Sequence, residues 1–177
     1  MANYFLDKKI GIIGGGQLGQ MMLLEAKKMG FYAVVLDPTP DCPCHSICDE
    51  HIIADFDDEK AFQLLAEKTD VITYEFEHIN ARALERLEDK GYKIYPTAAS
   101  LEVIQDKLTQ KEAMAKAGLP VPDFMIIESL DDMTKAGNEY GYPYMLKART
   151  GGYDGKGNAV VKSADTIRSE EHTSELQ

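Results

Sequence analysis

Two glycine-rich stretches hold the residue types best suited to gripping phosphate. In "MLKARTGGYDGKGNAVV", Lys147 closes an apolar run, Gly151 and Gly152 open a turn, and Tyr153, Asp154 and Lys156 ride on a loop closed by Gly155 and Gly157 ahead of Asn158. Bare backbone with one lysine inside the loop and another just before it suits a lid over a triphosphate. It is not a Walker A loop, because Gly157 rather than Ser or Thr follows Lys156 and a strand pattern rather than a helix comes next. The alternative without a ligand is a mobile surface hairpin.

The second stretch is "GIIGGGQLGQMM", where an apolar strand meets a glycine turn and then a helix, with Gly14, Gly16 and Gly19 spaced as in a dinucleotide-binding turn. Asp37, at the end of the next apolar run, stands where such a site places its ribose-binding acid. On the residues alone three readings stay open: a dinucleotide site, a phosphorylated substrate on the same helix start, or a tight turn with no ligand. A helix start contributes about 1 kcal/mol to holding an anion. Micromolar binding requires about 8 kcal/mol, so Lys107, Lys147, Lys156 and a run of backbone donors would have to act together.

Other candidates are weaker. In "YEFEHI", Glu75 and Glu77 alternate at a strand's carboxyl end and share one face, as substrate contacts or as solvated loop acids; His78 reads as structural. Cys42, Cys44 and Cys48 lie close to His45 and His51, but the spacing lacks the separated C-x2-C halves of a zinc site. A proline-kinked loop with small buried side chains fits better, and no metal ligands are assigned.

The elements that must position these residues follow from periodicity. Strands are expected over 9–14, 32–36, 51–54 and 71–74, and helices over 17–29, 58–69 and 81–90, with Leu18, Met21, Met22, Ala26 and Met29 on one side of the first helix. Such alternation makes an α/β unit, a Rossmann-like parallel sheet covered on both faces. Near Tyr95 the rhythm changes to a largely helical stretch ending in Gly118 and two prolines. A strand over 124–127, a helix over 130–140 and strands over 144–147 and 158–161 follow, the last two joined as a hairpin in an α+β unit. The expected organisation is 1–95, 96–167 and a tail, 168–177. The second unit has too few strands for an independent sheet and is expected to be incomplete.

With 177 residues, 44% hydrophobic and 28% charged, the chain is soluble and globular in composition. No apolar run approaches the roughly 18 residues of a membrane span, and a net charge of −11 without a basic stripe argues against nucleic acid. The first residues lack the apolar core of a secretory signal, so a cytoplasmic protein with reduced cysteines is expected.

Taken in order, "GIIGGGQLGQMM", "VITYEFEHI", "QDKLTQKEAMAKAGLPVP" and "LKARTGGYDGKG" resemble the N5-carboxyaminoimidazole ribonucleotide synthase family, the ATPase subunit of phosphoribosylaminoimidazole carboxylase, in the ATP-grasp superfamily. The resemblance covers about residues 9–162. It implies a preATP-grasp domain that holds aminoimidazole ribonucleotide at Gly15, Gly16, Gln17, Leu18 and Glu75, and no nicotinamide; Asp37 becomes a loop acid. It implies ATP at Lys107, Lys147 and Gly152 to Asn158, and carboxylation by bicarbonate through carboxyphosphate, with Lys147, Tyr153, Asp154 and Lys156 as the catalytic set. Lys147 and Lys156 would neutralise the transferring phosphoryl group, and Asp154 would orient or deprotonate the attacking amine. Magnesium would accompany ATP, its ligands lying beyond residue 177, and the full-length parent would be a homodimer. The stretch "RSEEHTSELQ" matches nothing expected there and reads as translated sequencing adaptor. The chain alone is expected not to turn over. The rival readings are a fragment of an NAD-binding oxidoreductase and a non-catalytic nucleotide-binding module.

Overall fold

The computed structural model describes residues 7–152 and 157–169 and divides into two compact units, up to Glu102 and from Val103. The first is built on β1 (Lys9–Ile13), α1 (Gln17–Lys28), β2 (Tyr32–Leu36), β3 (Glu50–Ile52), α2 (Glu59–Lys68), β4 (Val71–Tyr74), α3 (Ala81–Asp89) and β5 (Ile94–Tyr95), with α4 (Ala98–Gln105) running across the division. Its five strands pair in parallel in the order β3-β2-β1-β4-β5.

Alternating side chains on the central strands feed two cores, because successive residues of a strand point to opposite faces. Ile13, Val34, Leu36 and Ile72 pack with Phe62, Leu65, Leu84 and Leu87 of α2 and α3. Ile12, Ala33 and Val35 pack on the other face against Leu23 of α1 and against Cys42 and Cys44. The connection from β2 to β3 holds no helix, so the cysteine loop does the covering there that a helix does elsewhere. Cys42 and Cys44 are buried free thiols, in agreement with the sequence reading. Burial pushes the Cys44 thiol up to about 12, so it stays protonated and apolar.

Three expectations need correction. Leu18, Met21 and Met29 do not face the core; they are 55%, 58% and 65% exposed, and the inward face of α1 is Gly19, Leu23 and Ala26. Methionine and leucine recur at helical spacing on both sides of this helix, so periodicity alone could not choose the face. The first unit continues past Tyr95, because Ala98 and Leu101 of α4 are buried in its larger core. Residues 124–127 join no sheet among the described residues; Ile127 packs instead on the second core, and the Phe124 carbonyl accepts the Tyr140 hydroxyl at 3.3 Å.

The second unit contains α5 (Lys107–Lys116), α6 (Leu130–Tyr140), β6 (Tyr144–Lys147), β7 (Asn158–Val161) and α7 (Ala164–Ser169). β6 and β7 form the expected antiparallel pair. Their small core joins Met133, Val161 and Ile167, with Tyr142, Tyr144 and Leu146 around them. Among the described residues no helix is long and apolar enough to cross a membrane.

Candidate functional site

The first candidate site forms where the strand order reverses, between β1 and β4. Ile13 pairs with Tyr74, so Gly14 and Glu75 leave the sheet side by side at the carboxyl ends of their strands. In an open α/β sheet this is where ligands bind.

Sterics explain the glycines there. Gly14 has φ +100°, and a Cβ on it would meet the Phe76 ring at 2.7 Å. On Gly19 a Cβ would lie 2.0 Å from the Gly14 carbonyl oxygen, which is how α1 packs so tightly on the turn. Gly16 differs, since a Cβ there would meet nothing within 4 Å. It caps α1 without a side-chain hydrogen bond, and no acidic residue lies in the first turn. By contrast, α2, α3, α5 and α6 are capped by Asp58, Asn80, Asp106 and Ser129. The start of α1 therefore offers uncapped N–H groups at Gln17 and Leu18 to an anion.

Glu75 stands beside this helix start. Partial burial of its carboxyl, reinforced by the charge of Glu77, pushes its pKa up from the usual value. Glu77 lies 3.7 Å from His78 Nε2. The structure thus sets Glu75 beside Gly14 at the carboxyl end of the sheet, with Gly15, Gly16, Gln17 and Leu18 following Gly14 into the start of α1.

Asp37 is more than a loop acid. It is 7% exposed; its Oδ2 accepts the Gly15 N–H at 2.7 Å and its Oδ1 the Thr39 N–H at 2.8 Å. Cys44 donates its N–H to the Gly15 carbonyl at 3.1 Å, so both polar groups of Gly15 are held by the loop after β2. A carboxylate buried and turned back into the turn is not presented to a ribose, which removes the main support for a nicotinamide site. The acidic spacing was visible in the sequence, but its target was not.

In the second unit Lys147 ends β6 opposite Asn158 and is exposed. Arg149, two residues on, donates through Nε to Asp106 Oδ2 at 2.6 Å, and its carbonyl accepts the Lys107 N–H at 3.0 Å. The start of α5, and Lys107 with it, is thereby fastened beside the end of β6. Asp106 also caps α5 through Leu108 and Thr109. Partial burial works against its ionisation, but those N–H donors and the Arg149 guanidinium hold its pKa below the usual range. No local pattern marks this clamp, since its residues are 43 positions apart.

The glycine loop closes at its base, where the Ala148 N–H donates to the Gly157 carbonyl at 2.6 Å and a Cβ on Gly157 would lie 3.4 Å from the Gly152 Cα. Tyr153, Asp154, Gly155 and Lys156 lie outside the described residues, as does the tail from residue 170. Among the described residues no group of three His, Cys, Asp or Glu side chains could hold a metal ion, so no magnesium ligand is assigned.

Comparison with known proteins matches residues 7–105 to the ribonucleotide synthetase preATP-grasp domain and residues 112–176 to the ATP-grasp domain. N5-carboxyaminoimidazole ribonucleotide synthase of Staphylococcus haemolyticus is 48% identical over 159 residues, 90% of this chain and 42% of the relative. The chain thus spans about two fifths of the curated relatives it matches. A crystal structure of the Staphylococcus aureus synthetase complexed with ADP superposes with a TM-score of 0.87 at 46% identity, covering 93% of this chain and 44% of that one. The Aspergillus clavatus synthase in complex with ADP and aminoimidazole ribonucleotide gives 0.83 at 34% identity, covering 93% and 43%.

Proposed function

Because the chain belongs to the ribonucleotide synthetase preATP-grasp family, here joined to ATP-grasp sequence, we propose that its whole protein carboxylates aminoimidazole ribonucleotide at the expense of ATP. Bicarbonate oxygen takes the γ-phosphoryl group of ATP and ADP leaves. The carboxyl of the resulting carboxyphosphate passes to the exocyclic amine of the ribonucleotide, which loses a proton as phosphate departs. The observation that carries the reading is the uncapped start of α1 beside Glu75, on a chain 48% identical over 159 residues to a synthase of that name.

The roles divide between the units. N–H groups at Gln17 and Leu18 face the ribonucleotide phosphate, supported by the helix dipole, and Glu75 bonds to another polar group of the same substrate. Lys107 and Lys147, fastened together through Asp106 and Arg149, neutralise ATP phosphates. Magnesium would add charge neutralisation when bound with ATP. Tyr153, Asp154 and Lys156 keep their sequence-based assignment, with Asp154 taking the amine proton and Lys156 facing the phosphoryl group.

The test is ADP release by the whole protein. It is expected only when aminoimidazole ribonucleotide and bicarbonate are both present, and Lys147→Ala should slow it by about two to three decades. Binding of both ligands with no ADP formed would leave a non-catalytic module instead.

A further inference from the structure

The loop after β2 contains a chain of contacts that ends on the glycine turn. His51, half-buried in β3, places Nε2 3.2 Å from the Asp37 carbonyl oxygen and 3.8 Å from Cys42 Sγ, the longer and weaker contact. Its Nδ1 lies 3.1 Å from Nδ1 of His45. A carbonyl oxygen can only accept, so Nε2 of His51 carries the hydrogen. Its Nδ1 and the Nδ1 of His45 are close enough to share one hydrogen, which fixes the two rings against each other. Asp37, gripped at its carbonyl by His51, also donates its own N–H to the Ile52 carbonyl at 3.1 Å. With its backbone held at both polar groups, its carboxylate points to the Gly15 and Thr39 N–H groups.

Three successive glycines have little conformational preference of their own. Whatever order they have must come from outside the turn. The Gly15 N–H is tied to Asp37, and the next N–H groups in the chain are those of the uncapped start of α1. We propose that His51 is a positioning residue for this turn: oriented by His45, it holds Asp37 so that Gly15 is locked and the first turn of α1 is presented to the ribonucleotide phosphate. This inference rests on the ribonucleotide reading given above. Its energetic basis is preorganisation, since a turn already ordered does not spend binding free energy on being ordered.

The test uses the whole protein and compares His51→Ala with His51→Gln, whose side-chain amide can donate to the same carbonyl. In His51→Ala the KM for aminoimidazole ribonucleotide should rise about tenfold, while kcat and the KM for ATP stay within about twofold. The Gly15 amide should exchange with solvent about tenfold faster. His51→Gln should restore both readings toward wild type. Unchanged Gly15 exchange overturns the proposal, and so does a loss shared equally by kcat and both KM values that Gln does not rescue, because a residue needed only for folding behaves that way. Should His51→Ala not fold, His45→Ala at an exposed position must give the same selective rise at smaller size, and no change there also overturns it. Failure of the wild-type protein to bind the ribonucleotide would instead sink the functional reading, with Gly15 exchange still deciding the coupling through Asp37.

Discussion

At the residue scale, the glycines of the turn separate folding from binding. Gly19→Ala drives a methyl into the Gly14 carbonyl and should destabilise the first unit by about 1–3 kcal/mol or more in urea unfolding. Gly16→Ala meets open space and should cost within about 1 kcal/mol. On the proposed ribonucleotide reading a phosphate meets this helix start, so the ribonucleotide KM should rise in Gly16→Ala while stability barely moves. Equal effects from the two substitutions would place no ligand there. Glu75 tests the electrostatics. Partial burial, with Glu77 adding to it, raises its pKa in the folded protein above the usual 4.5, so the ionised side chain opposes folding. That penalty is complete above the folded pKa and absent below the unfolded one. Glu75→Gln should therefore raise stability at pH 7, with the gain fading as pH falls through the carboxylate range, while ribonucleotide affinity drops. A gain that grows on acidification would contradict the assignment.

At the element scale, the orientation of α1 and the fastening of α5 make the sharpest claims. Leu23 is fully buried beneath α1, whereas Leu18 is 55% exposed. Leu23→Ala should cost about 2–5 kcal/mol, and Leu18→Ala no more than about 0.5 kcal/mol; urea midpoints that reversed this order would put the helix the other way round. Arg149 ties the end of β6 to the start of α5 while leaving the Asp106 cap intact. Arg149→Ala should raise the KM for ATP several-fold and leave that for the ribonucleotide unmoved. Asp106→Ala loses the cap as well, about 1 kcal/mol in the second unit, and should show the same KM selectivity with a lower thermal midpoint.

At the scale of the whole molecule, the two units differ in how their backbones are secured. β1 and β4 are paired on both sides and roofed by helices, whereas β6 and β7 have only each other among the described residues. A two-stranded sheet over a small core is marginal on its own. Amides of β1 and β4 should therefore exchange orders of magnitude more slowly than those of β6 and β7 in this chain, and uniform protection would show the second unit to be as stable as the first. Much of this plan was legible in the linear order of residues. Apolar runs punctuated by glycine, proline and capping residues placed β1, β2, β4, α1, α2, α3 and the hairpin, because those signals are local and depend on backbone preference. The glycine turn, Glu75 and Lys147 stood out as candidates for the same reason, as short patterns at element ends, whereas Lys107 rested on the family resemblance. What tertiary structure alone decided was long-range: which side of α1 turns inward, that residues 124–127 find no strand to pair with, that α4 belongs to the first core, and that Arg149 reaches Asp106. Asp37 shows the limit most clearly. Its spacing from the turn matches that of a ribose-binding acid, yet its function depends on where its carboxylate points, and that was settled by His51, Thr39 and the N–H of Gly15, groups that only folding brings to it.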